Sequence, residues 1–233
     1  MSIVSNISPL APKNFPIMHS ISGVRFATAN AGIKSGNSED ATLILLEPET
    51  VIAGLFTSSM TRSAPVIDCQ NKIGINVEKT GAAIIVNSGN ANAFTGRHGE
   101  LAVREIIAEL STRVQIPVER IFSSSTGVIG ELLEYQKIIN VFDYLVDSLH
   151  VSKIENAARA IMTTDTFPKG SSVKVSSSGG KITISGIAKG SGMIAPNMGT
   201  MLVYIFTDAL IDKNDLQSIV SDLNDETFNC ITV

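Results

Sequence analysis

Two cysteines in 233 residues, Cys69 and Cys230, are too few for a disulfide framework, and both are expected to be reduced, buried thiols. The three histidines, His19, His98 and His150, are scattered without metal-ligand spacing, so no metal site is expected. Charge of neither sign dominates. Eighteen Lys and Arg against 22 Asp and Glu leave a net charge of −4, which offers no general basis for binding nucleic acid or an anionic membrane. No run approaches the roughly 18 apolar residues of a membrane-spanning helix. The opening segment MSIVSNISPLAPKNFP has no basic start and meets Pro9 and Pro12 early, unlike a secretory leader. It is not an Arg-rich transit segment either, so a cytoplasmic protein is expected. With 18 glycines and 8 prolines, collagen-like and low-complexity classes are also excluded.

What is present is a globular composition, 44% hydrophobic and 17% charged, long enough for one large domain or two small ones. Residues 1–22 read as an irregular arm interrupted by Pro9, Pro12 and Pro16. Short apolar runs bounded by turn formers predict strands over 41–47, 50–57 and 81–88. Val103, Ile106, Ile107, Leu110 and Val114 line one face of a predicted helix, which Pro117 ends. Further helices are predicted over 136–149, with Ile138, Ile139, Phe142, Leu145, Val146 and Leu149 inside, and over 152–163, with Ile154, Ala157, Ala158 and Ile161 inside. Residues 171–188 alternate around Ser-Gly-Gly as a hairpin does. A buried strand is expected over 201–208, followed by a helix capped by Asp212 and carrying Leu216, Ile219, Val220 and Leu223. The elements mix without regular βαβ alternation, which makes the class α/β (α+β) and not a Rossmann fold.

Three segments are too rich in Gly, Ser, Thr and Asn for ordinary core: 87–96, 123–131 and 186–201. The last contains Lys189 and the Gly199-Thr200 pair, which leads straight into an apolar strand. A Thr hydroxyl held at a tight turn can attack the preceding carbonyl and shift the acyl group from nitrogen to oxygen, after which water cleaves the ester. The new chain begins with Thr200, whose α-amino group, with a pKa of about 7.7–8.0, can act as base for its own hydroxyl. Gly199 leaves the attacked carbonyl uncrowded.

APKNFP (11–16), GVRFATANAGIK (23–34), AGLFTSSMTRSAPV (53–66), IVNSGNANAFTG (85–96), SSTGVIGE (124–131), IMTTDTFPK (161–169) and GIAKGSGMIAPNMGTML (186–202) occur in this order. Together, from about Ala11 to Val233, they resemble the ArgJ family, the ornithine acetyltransferase / glutamate N-acetyltransferases of arginine biosynthesis. The resemblance implies an ArgJ/DmpA-like fold with autoprocessing of the N-terminal-nucleophile type. It divides the chain into an alpha-chain region, 1–199, and the start of a beta chain, 200–233. Cleavage would fall between Gly199 and Thr200, and Thr200 would be the nucleophile that carries acetyl from N2-acetylornithine to glutamate. Thr126 and Gly127 would form the oxyanion hole, and Thr163, Lys189 and Thr200 would contact substrate. No cofactor is implied, and acetyl-CoA would enter only as a co-substrate if N-acetylglutamate is also made from it. The family further implies an assembly of two alpha and two beta chains. Asn87, Asn90, Asn92, Asp165 and Lys169 are assigned no catalytic role, and both cysteines are read as structural.

Two departures from the family pattern stand out. The residue before the nucleophile is usually Ala and here is Gly199, which is expected to permit cleavage while loosening the turn. Family members also continue past FNxITV, whereas this sequence ends at FNCITV (228–233), the expectation being a chain truncated early in its beta portion. Two other readings follow. One is an amidase or aminopeptidase in which an N-terminal Thr delivers the acyl group to water. The other is a non-catalytic fragment that needs a separate second half.

Overall fold

In a computed structural model, residues 7–233 are described, with the exception of 76, 78 and 178. Two sheets form the framework. The first contains β1 (Val24–Ala29), β2 (Ala41–Leu46), β3 (Ala82–Asn90) and β4 (Ile121–Val128) in that spatial order. β1–β2 and β2–β3 are antiparallel, while β3 and β4 are parallel. A parallel pair requires a crossover. It is supplied by α2 (Gly96–Val114), which buries Ala102, Val103, Ile106, Ile107 and Leu110 along one stripe. The helix ends before Pro117, at Gln115, which turns left-handed and returns its N–H to Ser111.

Strand alternation decides which residues face which layer. Ala27, Leu43 and Ile85 point toward α2, α3 (Tyr135–Ile139) and α4 (Phe142–Asp147). Phe26, Ile44 and Val86 point the opposite way, toward α5 (Ile154–Ala160) and the second sheet. That sheet runs β5 (Lys169–Ser177), β6 (Gly180–Lys189), β7 (Leu202–Thr207), all antiparallel. Phe26 and Phe206 join the two sheets edge to face, with ring centroids 5.3 Å apart.

The hairpin predicted over 171–188 is present as β5–β6, although Ser178 of its turn lies outside the described residues, as do residues 1–6 of the N-terminal arm. Residues 7–20 of that arm are irregular, as the prolines require. The helix predicted over 136–149 divides into α3 and α4 because the backbone leaves helical geometry at Val141. Its apolar stripe is nonetheless correct, with Ile138, Ile139, Phe142 and Leu145 buried and Val146 and Leu149 packed beside them.

Two predicted strands need correction. Residues 50–57 are irregular, because both edges of β2 are already taken by β1 and β3. Their backbone is held sideways instead: Arg120 donates to the Thr50 carbonyl, and Gln217 exchanges hydrogen bonds with Gly54. The expected buried strand at 201–208 is β7, an edge strand that among the described residues pairs with β6 alone, with Ile205 exposed. Three elements escaped the sequence reading: β1, β4 and α1 (Ala64–Lys72), whose Pro65 occupies the first helical turn, where no N–H is needed. The closing helix α6 (Lys213–Glu226) is capped as expected, the Asp212 carboxylate accepting from the Asn214 N–H at 2.8 Å. None of its residues is buried.

Cys69 is buried and donates its thiol to the Ser123 carbonyl, while Cys230, expected to be buried, is exposed. Burial pushes the Cys69 thiol up to about 11, which its hydrogen bond to Ser123 only partly offsets, so it remains a thiol at neutral pH. No described helix is long and apolar enough to cross a membrane.

Candidate functional site

The carboxyl ends of parallel strands are where open α/β sheets gather functional groups. Here β3 and β4 end side by side at 88–90 and 126–128, with a bulge at Gly89 and Asn90. Gly127 (φ +135°) sits so close to this bulge that a Cβ on it would lie 2.3 Å from the Gly89 carbonyl carbon. Only glycine fits.

The second sheet delivers the cation. Lys189, the last residue of β6, is only 2% exposed and donates its ammonium to the Thr126 hydroxyl at 3.2 Å. That neutral oxygen is its one hydrogen-bond partner among the described residues. The fold thus excludes a solvated surface lysine at this position. Burial lowers the Lys189 pKa and the nearby Lys169 adds to that, while Asp165 opposes both. An ammonium with spare donors in a dry setting is suited to reading an anionic group on a ligand.

Asp165 ties the remaining parts together. Its side chain is fully buried, accepts from Lys169 Nζ at 2.6 Å, the Gly190 N–H at 2.7 Å and the Thr163 N–H at 3.2 Å. Thr163 is thereby fixed relative to Lys189 through one carboxylate. Burial by itself would raise the Asp165 pKa, but Lys169 and the two backbone amides outweigh it and hold the carboxyl below its ordinary value. Stabilisation from a depressed carboxylate is complete above the unfolded pKa and is lost as the pH falls through the folded one. Asp165→Asn should therefore cost about 1–3 kcal/mol at neutral pH. It should also flatten the acid limb of stability below about pH 4. Urea unfolding of both proteins across that range measures the difference.

Thr200 enters from the other side of Gly190. Lys189 pairs with Leu202 across β6–β7, and a Cβ placed on Gly190 would lie 3.3 Å from the Thr200 carbonyl oxygen. No hydrogen bond restrains the Thr200 hydroxyl among the described residues. Gly199 just before it has φ +88° with open space around its Cα. Alanine there would meet no atom but would sit in a conformation that costs an L-residue about 1 kcal/mol. Gly199 therefore suits the left-handed geometry of the turn. Thus Thr126, Gly127 and Lys189 come together directly, with Thr163 joined through Asp165 and Thr200 through the β6–β7 junction.

Sequence reasoning gave Asp165 and Lys169 no role, and because the TTDTFPK segment is not helical their four-residue spacing did not signal that they pair. It passed over Lys34 altogether. That lysine donates to the Ala160 and Glu39 carbonyls, and burial lowers its pKa against the pull of Asp40 and Asp165. Ser88 donates to the same Ala160 carbonyl at 2.5 Å, so two side chains hold the end of α5, from which the Thr163 turn departs. Asn87, Asn90 and Asn92 are buried and donate to the backbone carbonyls of Asn90, Glu131 and Gly99, which ties the end of β3 to α2 and to the segment after β4. Among the described residues no cluster of three or more His, Cys, Asp or Glu could hold a metal.

The model of the ArgJ family matches residues 25–233. The chain belongs to the ArgJ family. It is 51% identical over all 233 residues to the arginine biosynthesis bifunctional protein ArgJ of Ruegeria pomeroyi, covering 57% of that protein. It is 44% identical over 227 residues to the ArgJ of Bartonella henselae, with 97% of this chain and 55% of the other aligned. The chain thus spans little more than half the length of these curated relatives. Among solved structures, it is similar to ArgJ of Bacillus halodurans, with a TM-score of 0.70 and 32% identity, over 78% of this chain and 95% of that one. Ornithine acetyltransferase of Mycobacterium tuberculosis, solved with ornithine, gives a TM-score of 0.67 and 29% identity over 78% and 94%. The two-sheet arrangement with mixed helices is therefore an ArgJ fold, as the motifs implied.

Proposed function

We propose that this chain carries the self-processing and acyl-transfer centre of a glutamate N-acetyltransferase. The reading rests above all on the buried Lys189 ammonium, hydrogen-bonded to Thr126 beside the backbone that leads into Thr200. The names and sequences of the ArgJ relatives support it. The chain divides at Gly199-Thr200 into 1–199 and 200–233. The Thr200 α-amine then takes the proton of its own hydroxyl as the oxygen attacks the acetyl carbonyl of N2-acetylornithine. The carbon–nitrogen bond breaks, ornithine leaves with that proton, and O-acetyl-Thr200 remains. Glutamate attacks the ester in turn and restores the hydroxyl. Thr126 and Gly127 are assigned to the developing oxyanion, where fixed donors stabilise the transition state more than the ground state. Thr163 and Lys189 hold the amino-acid portion of the substrate. No cofactor is assigned, and acetyl-CoA serves only as an alternative acetyl donor. Assembly as two copies of each piece, in the cytoplasm, completes the reading.

The test is a mass measurement of the 200–233 piece after incubation with N2-acetylornithine, with ornithine release followed in parallel. Acetylation on that piece and release that depends on added glutamate are expected. Glutamate-independent release would identify water as the acceptor and the protein as an amidase. Transfer seen only after adding a polypeptide that covers the rest of the relatives' length would make this chain a non-catalytic fragment. Lys189→Met adds a second check. It should leave thermal stability unchanged or raised, because it removes a buried ammonium with a single neutral partner. It should also raise the substrate KM roughly 10–100-fold, the worth of a hydrogen bond to a charged group.

A further inference from the structure

The turn before Thr200 is gripped from both sides by residues to which no role is attached. Within the turn, the Met198 and Gly199 amides both donate to the Ala195 carbonyl, at 3.2 and 3.3 Å. On one side, the Asn197 carbonyl accepts from the Ser58 N–H at 2.7 Å and the Ser58 hydroxyl at 2.9 Å. The Thr57 hydroxyl lies 2.8 Å from the Met198 carbonyl oxygen, one residue short of the scissile carbonyl, and 3.2 Å from that of Asn197. On the other side, Asn197 and Asn229 form a reciprocal amide pair: the Asn197 N–H donates to Asn229 Oδ1 at 2.6 Å, and Asn229 Nδ2 donates to Asn197 Oδ1 at 2.9 Å. Asn229 is itself steadied by the Asp225 carboxylate at 2.9 Å, and Val233 exchanges two backbone hydrogen bonds with Ile194.

These contacts surround Asn197 at φ +60°, a left-handed turn conformation that asparagine tolerates better than most side chains. None of Thr57, Ser58 or Asn229 is bonded to Gly199 or Thr200. What they fix is the direction in which the chain enters the Gly199–Thr200 bond. An intramolecular attack depends steeply on such alignment, since the hydroxyl must meet the carbonyl carbon at near-contact distance. The irregular 50–57 segment, which sequence reading took for a strand, thereby gains a purpose: it is free to follow the turn because no ladder claims it.

We infer that Thr57 and Asn229 are positioning residues for cleavage of the Gly199–Thr200 bond. The inference rests on the self-processing reading above. In the step they serve, a bond forms between Thr200 Oγ1 and the Gly199 carbonyl carbon, the carbon–nitrogen bond breaks, and the hydroxyl proton ends on the freed amine. Water then cleaves the ester, leaving a Gly199 carboxylate and a free hydroxyl. Because Thr57 lies before the cut and Asn229 after it, the clasp draws on both future pieces.

The full chain made by cell-free translation lets the uncut form be followed by intact mass. Thr57→Val and Asn229→Ala should each slow cleavage roughly tenfold or more, the equivalent of a lost hydrogen bond. Thr57→Ser, which keeps the hydroxyl, should cleave at close to the wild-type rate, and circular dichroism melts should be little changed. Thr57→Val at the wild-type rate, or Thr57→Ser as slow as Thr57→Val, overturns the inference while leaving Thr200 as nucleophile. If Asn229→Ala does not fold, the Thr57 pair alone decides. A wild-type chain that stays whole even with hydroxylamine, which traps the ester, overturns both readings together.

Discussion

Thr200→Ala should persist as a single species near 24.7 kDa under conditions in which the wild-type chain divides in two. The expected loss is complete within detection, because the variant lacks the atom that forms the new bond, and no neighbouring group replaces it. Cys69 cannot, being buried, protonated and bonded to the Ser123 carbonyl. The fold should not suffer. Among the described residues the Thr200 hydroxyl makes no hydrogen bond, so its removal should change unfolding free energy by no more than about 0.5 kcal/mol. Thr200→Ser, which retains the oxygen, should still cleave. Intact mass and a thermal melt on the same three samples separate chemistry from folding. Cleavage of Thr200→Ala at the same bond would remove Thr200 from the mechanism.

The second large effect is expected at Gly127. Its φ of +135° and the 2.3 Å approach of a would-be Cβ to the Gly89 carbonyl carbon leave no room for even a methyl group. The obstacle is backbone on the neighbouring strand, which cannot rotate away as a side chain could. Overpacking and backbone strain together give Gly127→Ala a cost of about 2–5 kcal/mol. For a chain of this size that is a fall in Tm of roughly 10 °C. Relief would come only by spreading the ends of β3 and β4, and that moves Thr126 away from Lys189, whose ammonium lies 3.2 Å from it. Acyl transfer should therefore drop well beyond what the stability loss explains. A Gly130→Ala control, where an added Cβ meets nothing within 4 Å, measures the cost of positive φ alone. Equal melting temperatures for the two variants would show that the close approach of β3 and β4 is not a constraint.

Periodicity carried much of the fold. The stripes of α2 and α5, the β5–β6 hairpin and the Asp212 cap could be read locally, because each depends on neighbours within a few residues or on one buried face. Residues 50–57 failed because an apolar run states only that a segment will be covered, and the edges of β2 were already occupied. β4 was missed because Ser123, Ser124 and Ser125 look like loop, yet they sit in a parallel ladder with β3. Its polar composition belongs to the site at its end, not to a turn.

The candidate site shows the same division. Lys189, Gly199 and Thr200 stood out in the residues themselves, whereas Thr126, Gly127 and Thr163 were singled out by the resemblance to the ArgJ family. The chain's class, its membership of the ArgJ family and the chemistry open to a Gly-Thr pair were all determined at that level. Tertiary structure decided the rest. Whether Lys189 is solvated or dry depends on β4 lying against the end of β6, 63 residues apart in sequence. Asp165 becomes a hub only because β6 brings Gly190 to it, and Asn229 meets Asn197 only through the return of the chain after α6. Burial, hydrogen bonding and charge act through space, so these assignments became available once the two sheets were placed against each other.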